Sequence, residues 1–148
     1  MKYEIDMKLP SLNDYVKVCR GNKFLANKYK AKLEQDIGLF LAKMPRWTKP
    51  IKIHFHWIEG NKKRDLDNIA FAKKFILDAM VKYGKLSDDN RRYVTAFTDT
   101  FEYGTRTMVL LEIEEVWENE FTSCRKWNKI KIEEGEQRMR DLKWKIVL

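Results

Sequence analysis

From Ile51 to Ile58 apolar and polar residues alternate without interruption, with Ile51, Ile53, Phe55 and Trp57 on one side and Lys52, His54 and His56 on the other. A period of two is that of a half-buried β-strand. Beyond a short connection the period changes: Ile69, Ala72, Ile76, Ala79 and Tyr83 recur at helical spacing, and Gly84 stands where a helix C-cap is wanted. A strand followed at once by an amphipathic helix requires sheet and helix to share a core. Their junction carries Gly60-Asn61, the basic run Lys62-Lys63-Arg64, and then the acidic motif Asp65-Leu66-Asp67-Asn68.

The flanking patterns extend this into an α+β fold. Tyr3 to Leu9 alternates as a strand, Pro10-Ser11 ends it, and Ser11 to Tyr15 reads as a polar loop. Phe24 to Met44 carries helix formers with apolar positions at Leu33, Ile37, Phe40 and Leu41, and Pro45 stops it. Lys85 to Asn90 is a short polar loop containing Ser87-Asp88-Asp89, and Arg91 to Phe101 has strand character. After a turn at Gly104, Thr107 to Val116 completes an expected hairpin, for a mixed sheet of about four strands with helices packed on it. Residues 1–116 form the expected domain. From Trp117 the composition shifts to charged residues with spaced aromatics, which predicts a helical extension over 117–148, interrupted around Gly135.

The chain's 148 residues include 30 Lys and Arg against 22 Asp and Glu, a formal charge of +8 that favours a polyanionic partner. No apolar run approaches the roughly 20 residues of a membrane span, and Met1 to Pro10 has no signal-peptide pattern, so a soluble, cytoplasmic protein is expected. Cys19 and Cys124 have no neighbouring cysteine, which argues against zinc and redox motifs and for two reduced thiols.

Against that positive background the carboxylates stand out. A protein that only holds phosphate gains nothing from acids near it, whereas one that cuts phosphodiesters uses them to bind Mg²⁺. On an extended segment Asp65 and Asp67 share a side, a few Å apart; Asp67 serves equally well as the N-cap of the following helix. Asp88 and Asp89 start a turn in one reading and add metal ligands in the other, provided the next strand lies beside the first. Lys74, two turns beyond Asp67, reaches either toward the metal centre or toward Asp78 one turn on. His54 and His56 are outward-facing strand residues first and ligands or a general base second. Lys62, Lys63, Arg64, Arg91 and Arg92 flank the acidic motifs as phosphate-binding charge or as solvated surface.

Taken in order, Leu9-Pro10-Ser11-Leu12-Asn13, Arg64-Asp65-Leu66-Asp67-Asn68, Lys74-Phe75-Ile76-Leu77-Asp78-Ala79-Met80 and Leu86-Ser87-Asp88-Asp89 resemble the RusA-type Holliday junction resolvases over roughly residues 1–116. Members of that family are small homodimeric, Mg²⁺-dependent endodeoxyribonucleases, many of them prophage-encoded, that nick opposed strands of four-way DNA. The resemblance implies Asp65, Asp67 and Asp89 as metal-binding carboxylates, with Asp88 secondary, and a catalytic Lys in the helix that follows. This chain departs from the pattern there: counting from Asp67 reaches Phe71, counting back from Asp78 reaches Lys74, and Lys73 is a further candidate.

These readings make the expected protein a Mg²⁺-dependent (or Mn²⁺-dependent) nuclease of four-way or branched DNA, acting as a homodimer and not at a membrane. Its rivals are a non-catalytic branched-DNA-binding protein of the same fold and an adaptor working through residues 117–148.

Overall fold

The structure, a computed structural model, describes residues 1–116. In chain order they form β1 (Lys2–Ile5), α1 (Leu12–Gly21), α2 (Lys23–Leu41), β2 (Ile51–Glu59), α3 (Leu66–Ala70), α4 (Lys73–Lys82), β3 (Val94–Tyr103) and β4 (Met108–Glu115). The fold is α+β, with one open, mixed four-stranded sheet ordered β1-β4-β2-β3. The helical extension expected over 117–148 lies outside the described residues.

β2 is one of the two inner strands, and its faces follow its alternation: Ile51, Ile53, Phe55 and Trp57 are buried and their polar neighbours are not. Ile5, Val109, Leu111 and Ile113 of β1 and β4 join them beneath Leu33, Ile37 and Leu41 of α2 and Phe75, Ile76, Ala79 and Met80 of α4. Burying each of the larger aliphatic or phenyl side chains contributes about 1.5–3 kcal/mol.

Several boundaries differ from expectation. β1 ends at Ile5, where the Met7 N–H turns back to the Ile5 carbonyl. Ser11 to Tyr15 is not a loop. Ser11 is the N-cap of α1, its hydroxyl accepting from the Asp14 N–H (3.2 Å) while the Asp14 carboxylate accepts from the Ser11 N–H (3.2 Å), a capping box closed by Asp. α2 stops at Leu41, before Pro45 can act. The helix expected from Ile69 is two segments, α3 and α4, joined through Phe71 and Ala72 by tighter i→i+3 bonds. Its end follows expectation: Gly84 takes φ +67°, and the Gly84 and Lys85 N–H groups return to Val81 and Met80 in a Schellman cap.

The largest topological difference concerns β3 and β4. They do not form a hairpin, because β2 lies between them, parallel to β3 and antiparallel to β4. Their connection crosses the end of β2, where the Gly104 N–H donates to the Glu59 carbonyl and the Gly60 N–H to Thr107 Oγ1, each at 3.0 Å.

α2 and α4 run parallel, since Lys30 meets Asp78 (2.7 Å), Glu34 meets Lys82 (2.9 Å) and Gly38 meets Tyr83. A Cβ on Gly38 would stand 2.3 Å from the Tyr83 ring, so only glycine allows this approach. Burial alone would raise the Asp78 pKa, but the ammonium groups of Lys30 and Lys74 outweigh it and hold the carboxyl below its ordinary 3.8. A depressed folded-state pKa contributes stability that is complete above the unfolded value and lost as pH falls through the folded one. Urea unfolding between pH 6 and pH 2 should therefore show stability falling below about pH 4, with a shallower fall in Asp78→Asn. An equal slope in the variant would remove Asp78 from that role.

Candidate functional site

The acidic motif is placed by the residues around it. Ile69 and Ala72 are buried and anchor α3 to the core, while Asp65 and Asp67 point out at its start. Asp65, with φ −73° and ψ 154°, is the N-cap residue by backbone geometry, and Asp67 lies in the first turn. Neither carboxylate caps the helix or pairs with another side chain among the described residues. Because α3 begins at Leu66, the segment is not extended beyond Asp65, so the period of two that would set both carboxylates on one side does not apply to them. Beside them Asn68 is buried, and its Oδ1 has no hydrogen-bond partner among the described residues.

These are hard oxygen donors of the kind that hold Mg²⁺ or Mn²⁺ through one or two carboxylates, with water and phosphate completing the shell. The donor chemistry at Asp65 and Asp67 therefore fits such an ion, which would polarise a phosphodiester and acidify a bound water.

The second acidic motif is elsewhere. Asp88 is used locally, one oxygen accepting from the Asp89 N–H (2.8 Å) and the other from the Asn90 amide. Asp89 is exposed, with no side-chain partner among the described residues. The condition posed by the sequence is met, since β3 does lie beside β2. Yet the pairing is parallel, so the loop entering β3 is at the Ile51 end, where Ile51 N–H bonds to Tyr93 O, whereas Asp65 and Asp67 follow the Glu59 end. The nine residues of β2 separate those ends by roughly 26 Å. One chain therefore does not bring Asp89 to Asp65 and Asp67, and no group of three or more His, Cys, Asp or Glu suited to a metal occurs among the described residues.

The lysines divide by face. Lys74 is exposed and bonds Asp78 (3.1 Å) on the side toward α2, the pairing its spacing also allowed, so it does not lean toward Asp67. Lys73, one position earlier, turns to the sheet and pairs with Asp99 of β3, above the rings of Phe55 (5.7 Å) and Phe97 (5.5 Å). Trp57 Nε1 donates to the other Asp99 oxygen at 2.9 Å. Phe71 packs with Tyr15 and Phe75 instead. Asp99 escaped the sequence reading because it carries no motif; its place on the helix side of β3, opposite Phe55, was the available signal.

Among the basic residues, Arg64 is engaged inside the protein. Its guanidinium grips both Glu59 oxygens and the Leu9 carbonyl (2.8 Å), and the two side chains are only 14% and 6% exposed. Lys62 and Lys63 are exposed beside Asp65, Lys62 lying over the Tyr103 ring at 5.0 Å. Arg91 and Arg92 are exposed beside Asp89. Each acidic locus thus has its own basic flank, at opposite ends of the sheet.

His54 and His56 belong to neither locus. They lie on the face of the sheet away from the helices, both 2.7 Å from Thr100 Oγ1, and His56 is 3.3 Å from Glu102. Among the described residues no helix is long and apolar enough to cross a membrane. No protein-family model matches the chain, and no curated protein matches it in sequence.

Proposed function

We propose that the chain is a Mg²⁺-dependent, structure-selective endodeoxyribonuclease that nicks four-way or branched DNA as a homodimer, with Mn²⁺ as a substitute ion. The observation that carries the reading is the two exposed carboxylates Asp65 and Asp67 at the start of α3, neither with a side-chain partner among the described residues, in a chain of net charge +8. Unpaired acids beside exposed lysines contribute little to folding, and they suit a site that receives a cation together with a phosphate. RusA-like identity is part of the same proposal and rests on the order of the motifs.

In this reading Asp65 and Asp67 hold the ion, and Lys62 and Lys63 bind the flanking phosphates. Asp89 contributes only from a second copy, which agrees with a symmetric substrate that needs two related sites. Lys73 or Lys74 can support transition-state charge only by leaving Asp99 or Asp78.

The separation of Asp89 from the pair favours the rival, a branched-DNA-binding protein whose acids are helix-start and turn residues. Incubating the full chain with a synthetic four-way junction in Mg²⁺ and in EDTA separates the two. Nicking in Mg²⁺ alone supports the enzyme, and binding in both without nicking sinks it. Under either reading Lys62→Ala with Lys63→Ala should weaken junction binding evenly across DNA sequences. It should also lower the slope of log K against log salt by about 0.9 per lost phosphate contact. An unchanged slope removes these lysines from the interface.

A further inference from the structure

α2 has two apolar sides where one would serve. Ala26, Leu33, Ile37 and Leu41 face the core, yet Phe24 (77% exposed), Leu25 (57%), Leu39 (74%) and Phe40 (37%) are open on the other side. At 100° per residue these four fall within a sector of about 160°, together with Lys28, Lys32 and Asp36. The order along that sector is apolar, basic, acidic, apolar, with Lys32 midway between Phe24 and Phe40.

Such a face is complementary to itself when reversed. A twofold axis perpendicular to α2 at Lys32 lays Phe24 and Leu25 of one copy over Leu39 and Phe40 of the other. It also sets Lys28 of each copy in the same turn as the other's Asp36. The two central Lys32 side chains repel, but each already pairs with its own Asp36 (3.4 Å), so the seam carries both signs. A parallel arrangement would instead align Lys28 with Lys28 and Asp36 with Asp36.

We propose that this exposed face of α2 is the surface through which two copies of the chain associate, antiparallel and about a twofold axis. α2 runs parallel to α4, and so in the direction from the Asp65 end of the sheet to the Ile51 end. Reversing α2 therefore puts Asp65 and Asp67 of one copy at the same end as Asp89 of the other. That corollary rests on the nuclease reading; the association itself does not.

The test uses the full chain in sedimentation across a hundredfold range of concentration. Wild type should show twice the monomer mass. Leu39→Glu should be monomeric with an unchanged melting temperature, because Leu39 is 74% exposed. Asp36→Lys should weaken the dimer at least tenfold, and Lys28→Asp added to it should restore most of that loss. A wild type that is monomeric throughout, or a Leu39→Glu dimer of unchanged strength, overturns the proposal. Lack of rescue in the charge-exchanged pair overturns the antiparallel register. A dimer that never nicks DNA leaves the association standing and removes the nuclease, and a nicking monomer does the reverse.

Discussion

Asp67→Asn should lower Mg²⁺-dependent nicking of a four-way junction by about 10²–10³-fold while leaving the fold intact. An ion that stabilises charge on a transferring phosphoryl group supplies several kcal/mol, and losing about 3–4 kcal/mol corresponds to that loss of rate. The carboxamide keeps the shape of the carboxylate but not its charge. Because Asp67 is exposed and makes no side-chain contact among the described residues, its replacement should change stability by no more than about 0.5 kcal/mol. Junction affinity in EDTA should hold or rise, since a negative charge has been removed beside phosphate. Single-turnover nicking, urea unfolding and a binding titration measure the three quantities. Full activity in Asp67→Asn would dismiss this pair as the metal centre, whatever the chain's activity proved to be.

Arg64→Ala should act in the opposite way, destabilising the fold by about 3–5 kcal/mol with no specific loss of phosphate contact. The guanidinium is enclosed with Glu59 at the end of β2, and removing it leaves a buried carboxylate and an unanswered Leu9 carbonyl. Glu59→Ala should cost a similar amount for the converse reason. Glu59→Gln combined with Arg64→Met should cost less than the two single losses together, because neither partner is then left as an isolated charge. Domains of this size are commonly stable by only about 5–15 kcal/mol, so the single variants should show a clear drop in urea midpoint. If Arg64→Ala kept its stability and instead lowered the salt dependence of DNA binding, Arg64 would be a phosphate ligand.

These two positions also mark the boundary of what local pattern can say. Arg64 and Asp65 are neighbours, and both look like site residues in a basic-acidic run. One ends inside the protein and the other outside. The difference is made by Glu59 and Leu9, five and fifty-five residues away, and nothing in the run itself indicates either. The same holds at Lys73 and Lys74, where a step of about 100° around α4 sends one ammonium to the sheet and the other toward α2. The capping box at Ser11 was missed, although Ser-x-x-Asp places a side-chain oxygen three residues ahead of a backbone donor. Its polar letters read as a loop because Ser, Asn and Asp also favour turns.

Local pattern was sufficient for some elements and not for others: Leu12–Gly21 is a helix where Ser11 to Tyr15 reads as a loop, and the helix expected from Ile69 breaks at Phe71 and Ala72. The period at Ile51–Ile58 settled a buried-faced strand, Ile76, Ala79 and the glycine at 84 marked α4 and its end, and the charge anomaly at Asp65 and Asp67 marked two carboxylates that the fold leaves exposed. Strand partners and the meeting of distant side chains were another matter. An isolated β3–turn–β4 segment suits a hairpin as well as it suits two strands flanking a third, and the choice falls to β2, whose backbone N–H and C=O groups on both edges are paired when β3 and β4 flank it. Parallel pairing of β2 with β3 then carries Asp89 to the end opposite Asp65 and Asp67, because a crossover helix returns the chain to where the first strand began. Periodicity operates over a few residues, whereas pairing depends on the core as a whole. The carboxylates could therefore be read from the chain, and their separation only from the fold.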